Sequence, residues 1–137
     1  MSSRRNARLA AVGMLYAYDV GNETIAAKPE SYLDERRLKG KYRAFAEELF
    51  RGTFDHLQGL DGALEKHLNE SWSFDRFGRL ERAILRLAAY ELIHTQTDGP
   101  IIINEAIEMA KELADDEAPR LINGILESLQ KAARSAA

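Results

Sequence analysis

The stretch Leu80-Glu81-Arg82-Ala83-Ile84-Leu85-Arg86-Leu87-Ala88-Ala89-Tyr90-Glu91-Leu92-Ile93 decides the fold. Its apolar residues recur at three- and four-residue steps, which is the period of an α-helix. They also cover most of the helix circumference, and a helix of that kind is normally surrounded by other helices. We therefore predict an all-α protein with this segment as its central helix.

Helical periodicity continues on both sides of the central segment. The sequence predicts a first helix that ends before Gly21, a polar connector over residues 21–40, a second helix from about Lys41 to His56, and a short third helix that Asp61 caps. After the central helix, Gly99-Pro100 opens another helix, and Asp115 or Asp116 caps the last one. The apolar stripe of the second helix is predicted to be buried and consists of Tyr42, Phe45, Ala46, Leu49, Phe50 and Phe54.

Six or seven helices with short connections indicate a helical bundle or a pair of small bundles. The 137 residues fit one domain spanning residues 1–137, and the 45% of hydrophobic residues can build one core. No apolar run approaches the roughly 20 residues needed to cross a bilayer. The arginines near the start are not followed by a signal-peptide cleavage site, so we expect a cytoplasmic protein.

The sequence gives no positive sign of catalysis. It contains no cysteine, which excludes disulfides and Cys-ligated zinc. We find no nucleophile elbow, phosphate-binding glycine loop or dinucleotide fingerprint. The histidines His56, His67 and His94 lie far apart in the sequence, which disfavours a metal site. We therefore expect a binding protein without enzymatic activity, metal or cofactor.

Charge is unevenly distributed along the chain, although the net charge is only −3. Residues 1–18 contain Arg4, Arg5 and Arg8 and no acid, whereas residues 104–117 are strongly acidic. On a helix the three arginines share one broad cationic surface, and guanidinium groups suit phosphates and stack on bases. This pattern indicates a localised anion-binding site, and the alternative is an ordinary solvated helix start.

Two further features of the sequence allow more than one interpretation. Arg79, Arg82 and Arg86 share one stripe of the central helix, either for binding or for pairing with Glu81, Glu91 or acids of the final helices. The pair Asn123-Gly124 interrupts an otherwise apolar helix. Glycine there costs about 1 kcal/mol relative to alanine, so we expect close helix packing at Gly124 to compensate.

An ordered set of motifs extends over nearly the whole chain and resembles the NusB family of bacterial transcription antitermination factors. Each motif is weak alone, but their order and spacing are specific. They are Arg4-Arg5-x-Ala7-Arg8, Leu15-Tyr16, Trp72-Ser73-Phe74-Asp75-Arg76, the segment from Leu80 to Leu92, Ile103-Asn104-Glu105-Ala106-Ile107-Glu108-Met109-Ala110-Lys111, and Leu121-Ile122-Asn123-Gly124-Ile125-Leu126.

The resemblance implies an all-helical fold of two small subdomains and a binding function without a cofactor. Members pair with NusE, a ribosomal protein of the small subunit that also acts in transcription. The pair recognises single-stranded boxA RNA in nascent transcripts, notably of ribosomal RNA. Within an antitermination complex, RNA polymerase then reads through terminators.

The resemblance also assigns roles to individual positions of this chain. Arg4, Arg5 and Arg8 match an arginine-rich RNA-binding arm, and Arg120 matches a basic position before Asn123-Gly124. Leu121 stands where the family usually has phenylalanine, so an aromatic surface for stacking a base is absent there. The complete set of candidates is Arg4, Arg5, Arg8, Arg86 and Arg120 for RNA, and Tyr16, Asp75 and Glu81 for the NusE-facing surface.

Two other functions remain open at the level of sequence. The chain can be a protein-interaction module for which NusE supplies most RNA contacts, as the acidic net charge and Leu121 indicate. It can also be a helical accessory domain of the kind found in some RNA cytosine methyltransferases. Monomer and homodimer are both compatible with the sequence.

Overall fold

The computed structural model describes residues 3–68, 74 and 77–134, and every regular element in these ranges is a helix. The chain is thus all-α, as predicted. The helices are α1 (Ser3–Asp19), α2 (Thr24–Ala27), α3 (Glu30–Glu35), α4 (Gly40–Asp55), α5 (Leu57–Glu65), α6 (Arg79–His94), α7 (Gly99–Leu113) and α8 (Ala118–Arg134).

The described ranges contain eight helices, one more than the upper expectation. Residues 21–40, predicted to be a polar connector, contain the two short helices α2 and α3. Each contributes one buried apolar side chain, Ile25 and Leu33 respectively. Both short helices pack against α1. Isolated apolar residues of this kind give no periodic signal, so tertiary packing decides the conformation here.

Helix α6 lies at the centre of the fold, as its sequence predicts. It packs against α1, α4 and α5 and also against α7 and α8. Every residue from Ala83 to Leu92 is buried except Arg86. Helices α1–α5 and α6–α8 form two groups that meet along α6, and their buried apolar side chains form one continuous core.

The third predicted helix starts earlier than its sequence signals indicate. We expected Asp61 to cap this helix, but α5 begins at Leu57 and includes Asp61. Only His56 separates α4 from α5, and its carbonyl accepts a hydrogen bond from Leu60 N at 2.9 Å. The Asp61 carboxylate is occupied by Arg86 instead of the backbone.

Side chains hold the start of α8 and the end of α6. Asp115 Oδ1 accepts hydrogen bonds from the backbone N–H groups of Glu117 and Ala118, at 3.2 and 3.1 Å. Asp115 is therefore the cap that the sequence predicted for α8. At the other end of α8, the Arg134 guanidinium donates to four carbonyl groups at and beyond the end of α6, those of Glu91, Leu92, Thr95 and Thr97, over 2.6–3.2 Å.

Within the described ranges, none of the helices is both long enough and apolar enough to cross a membrane.

Candidate nucleic-acid interface

Arg8 of the predicted RNA-binding arm lies inside the protein. It is only 4% exposed, and it faces Glu91 of α6, which is 1% exposed. Arg8 Nε donates to Glu91 Oε1 at 2.9 Å, and Nη2 donates to Oε2 at 3.1 Å. A two-pronged pair of this kind fixes the angle between α1 and α6. Its guanidinium is therefore engaged within the protein.

Burial has the largest effect on the pKa of Glu91. Removal from water raises the pKa of the Glu91 carboxyl, and the hydrogen bonds from Arg8 oppose that rise. The carboxylate of Glu105 on α7 stands 3.9 Å from Arg8 Nη1. Two carboxylates thus surround one buried guanidinium, and this cluster joins α1, α6 and α7.

Arg5 is the next arginine of the arm and is only partly available to a ligand. Its Nη2 donates to Glu105 Oε2 at 2.7 Å, and its side chain is 33% exposed. The hydrogen bond from Arg5 to Glu105 raises the pKa of the arginine further above its ordinary value. A phosphate approaching Arg5 must share the guanidinium with this carboxylate.

Arg4 is exposed and has no ion pair within the described part of the chain. Its Cζ lies 4.7 Å from the centre of the Phe45 ring on α4. Arg4 and Phe45 line a cavity together with Lys41 and Tyr42. We call Arg4, Arg5 and Lys41 the basic edge, because these three cations reach the surface at this end of α1 and α4.

The arginine stripe of α6 is paired within the protein. Arg82 Nη2 donates to Asp19 Oδ2 at 2.9 Å, at the end of α1. Arg86 makes two hydrogen bonds of 2.8 Å to the carboxylate of Asp61 on α5. Intramolecular pairing was one of the two interpretations, but Glu81, Glu91 and the final helices were the wrong source of the acids. Arg86, a candidate RNA contact, is therefore engaged by α5.

Arg120 is exposed on α8 and lines a groove with Leu121 and Gly124. Leu121 is itself 38% exposed. The expectation of close packing at Gly124 was wrong, because a Cβ atom there would meet nothing within 4 Å. The missing side chain instead leaves the groove open beside Arg120. This groove is a second surface with a cation next to apolar atoms.

The candidate partner-binding residues Tyr16 and Glu81 come together. They line one cleft between α1, the start of α6 and the end of α7, and Asp115 lies on its rim. Glu81 Oε2 also accepts a hydrogen bond from Gly78 N at 3.1 Å, so it caps α6. The third candidate, Asp75, lies outside the described residues.

Two of the three histidines meet although they are far apart in the sequence. The rings of His56 and His94 lie 4.2 Å apart, and burial together with His56 lowers the pKa of His94. No group of three or more metal-binding side chains occurs among the residues that the structure places. Sequence spacing could not reveal this pair, because α4 and α6 bring it together.

Comparison with solved structures defines the class of the protein as the NusB-like all-helical fold. One matching chain comes from the crystal structure of a plectonemic RNA supercoil, with a TM-score of 0.89, 31% identity and full coverage of both chains. Another comes from a crystal structure of the antitermination factors NusB and NusE in complex with double-stranded RNA. There the TM-score is 0.85 at 31% identity, covering 96% of this chain and 98% of that one.

The chain belongs to the NusB family, because the family model matches residues 5–131. Among its relatives, the transcription antitermination protein NusB of Sulfurovum sp. (strain NBC37-1) is 50% identical over 131 residues. That alignment covers 96% of this chain and 100% of the relative. The family resemblance predicted from the ordered motifs is thereby confirmed.

Proposed function

We propose that this protein is a non-enzymatic transcription antitermination factor that binds single-stranded, boxA-type RNA of nascent transcripts together with NusE. It would act in the cytoplasm as part of the RNA polymerase antitermination complex, helping the polymerase to read through terminators. The observation that carries the proposal is the exposed basic edge on a fold whose solved counterpart holds NusE and RNA. Positive groups on an acidic protein confine a polyanion to one surface.

The RNA surface proposed here uses the predicted arginines unequally. Arg4 and Arg5 contact phosphates directly, and Arg120 extends the surface to α8. Arg8 supports them through its buried pair with Glu91, which holds the start of α1 in place. Arg86 pairs with Asp61, and this pair holds α5 against α6.

The partner surface proposed here is the cleft that contains Tyr16 and Glu81. Asp75, which precedes α6 in the sequence, is the third candidate for this surface. Tyr16 offers an aromatic ring that is 38% exposed. The acidic groups Glu81 and Asp115 in the same cleft, which Arg79 also lines, complement a basic ribosomal protein. Tyrosine is among the aromatic residues that are enriched at protein interfaces.

The RNA role is tested with a double variant, Arg4→Gln with Arg5→Gln, titrated with boxA-type RNA alone and with NusE over a range of salt concentrations. Each phosphate contact on a single strand contributes roughly 0.7 to the slope of log affinity against log salt. Loss of two contacts should therefore flatten the slope by about 1.4 and weaken binding. Fluorescence anisotropy measures both quantities.

The matched control removes two exposed cations elsewhere, Lys28→Gln with Lys131→Gln. It changes the net charge equally and should leave the slope nearly unchanged. Equal slopes for the Arg4/Arg5 variant and the unaltered protein would sink the role given to the basic edge.

A second candidate function is a protein-interaction module in which NusE supplies most RNA contacts. The internal pairing of Arg5, Arg8 and Arg86 with carboxylates favours it, because these groups lose part of their attraction for phosphate. It predicts no RNA binding by the isolated protein at low salt but binding by the complex with NusE. The same titrations distinguish the two functions.

A further inference from the structure

A cavity lies where the start of α1 meets the start of α4. Its volume is about 310 Å³, and Arg4, Lys41, Tyr42, Ala44, Phe45 and Glu48 line it. Ligand pockets in proteins begin at roughly 300 Å³. The cavity is therefore large enough to receive a small planar group.

The residues that line the cavity combine aromatic rings with cations. Tyr42 and Phe45 lie one helical turn apart on α4 and are both partly exposed. Arg4 Cζ is 4.7 Å from the centre of the Phe45 ring, and Lys41 Nζ is 5.2 Å from the centre of the Tyr42 ring. Partly exposed aromatic rings beside cations are a combination that can stack unpaired bases and hold the phosphates around them.

The carboxylate of Glu48 favours a base over a phosphate inside the cavity. Its side chain is on the cavity wall and exposed, one turn after Phe45. A carboxylate there repels a phosphate but accepts a hydrogen bond from the amino group of a base. A base therefore suits the cavity better near Glu48, and flanking phosphates suit Arg4 and Lys41.

The position of the cavity connects it to the proposed RNA surface. Arg4 belongs both to the basic edge and to the cavity, so a strand held by the edge passes the opening. On α8 the exposed residue next to Arg120 is Leu121, which has no ring to stack on. At the first of these surfaces, Tyr42 and Phe45 are partly exposed rings, and each has a cation facing it.

We propose that Arg4, Lys41, Tyr42 and Phe45 form a subsite that takes one unpaired base of single-stranded RNA. The subsite rests on the proposed function and specifies how the amino-terminal surface holds its strand. Stacking on Tyr42 and Phe45 adds affinity that does not depend on salt, whereas Lys41 adds a phosphate contact that does.

The test uses Tyr42→Leu and Phe45→Leu, each titrated in complex with NusE against boxA-type RNA. Each should weaken binding by roughly 5- to 150-fold, the range that corresponds to stacking of one base, with an unchanged salt slope. Lys41→Gln should instead flatten the slope by about 0.7. Phe54→Leu on the same helix is the matched control, because its ring packs against Phe50 and Tyr18, and its affinity should stay the same.

A second measurement does not depend on how the variants fold. RNA carrying 4-thiouridine is irradiated in the complex of the unaltered protein with NusE, and the modified peptides are identified by mass spectrometry. Crosslinks should fall on the segment around Tyr42 and Phe45. Crosslinks found only elsewhere in the protein would overturn the subsite.

The two proposals fail in different ways. If the Arg4/Arg5 variant flattens the salt slope while the leucine variants bind normally, the subsite is wrong and the RNA-binding function stands. If the unaltered protein adds no RNA affinity to NusE, the proposed function and the subsite fall together.

Discussion

The three arginines at the start of α1 differ in their exposure and in their contacts. Arg4 is exposed on an aromatic ring, Arg5 shares its charge with Glu105, and Arg8 is buried against Glu91. The difference arises from what α6 and α7 place opposite each residue. The pairing acids stand 83 and 100 residues away in the chain, so the sequence shows the cations but not their partners.

The buried pair can be tested by removing its acid. Glu91→Leu leaves the Arg8 guanidinium buried with Glu105 as its nearest acid, 3.9 Å away. Removal of one partner from a buried ion pair costs about 3–5 kcal/mol of unfolding free energy. We expect a loss of that size by urea denaturation. The double variant Arg8→Met with Glu91→Leu should recover most of it, because no charge then remains without a partner.

Glu108→Leu is the control for this experiment. Glu108 forms an exposed pair with Lys111 at 3.0 Å on α7, and surface pairs of this kind contribute roughly 0–1 kcal/mol. Similar losses for Glu91→Leu and Glu108→Leu would show that burial gives the Arg8 pair no special weight.

At the scale of elements, Gly52 of α4 lies directly against the ring of Tyr90 on α6. A Cβ atom there would lie 2.1 Å from Tyr90 Cζ, so only glycine allows the ring to sit against the α4 backbone. At Gly124 on α8 a Cβ atom would meet nothing. Both glycines are inside helices, yet only one of them has a packing reason.

The same substitution should therefore have opposite effects at the two positions. Gly52→Ala should lower the unfolding free energy by about 1–3 kcal/mol through overpacking against Tyr90. Gly124→Ala should raise it by about 1 kcal/mol, because alanine is the better helix former and has room. Thermal denaturation followed by circular dichroism measures both, and a stabilising Gly52→Ala would contradict the packing described for Tyr90.

The strongly periodic helices could be predicted from the sequence, and the short ones could not. The second predicted helix, from about Lys41 to His56, agrees with α4 (Gly40–Asp55) to within one residue. The start of α5 was misplaced because Asp61 is a good capping residue whose carboxylate is instead engaged by Arg86. Local signals therefore fail where a side chain has a partner far away in the chain.

The candidate site shows the same division. Arg4 and Arg5 were predicted as cations at one helix start, and they do reach the surface. Tyr42 and Phe45 were assigned to a buried stripe, because periodicity shows which side of α4 faces inward but not where α1 leaves it uncovered. The shape of the cavity depends on how α1 packs across α4. The sequence of neither helix alone determines that packing.

At the scale of the whole molecule, the two helix groups share α6 and one core, so we expect them to unfold together. Leu126→Ala removes a fully buried side chain of α8 and should cost about 2–5 kcal/mol. Hydrogen exchange of the buried amides in α1 and α4 should report the same loss as those in α8. Unchanged protection in α1 and α4 would mean that the groups unfold as separate units.

The hydrogen bonds from Arg134 to the end of α6 also have a consequence for the order of events during synthesis. Leu92 and Arg134 are 42 residues apart in the chain. A ribosome that adds roughly 5–20 residues per second therefore synthesises Arg134 about 2–8 s after Leu92, whose carbonyl it binds. During that interval the carbonyl groups at the carboxyl end of α6 lack the Arg134 guanidinium as a hydrogen-bond donor. The amino-terminal group is meanwhile already synthesised, and it can hold α6 until its end is closed.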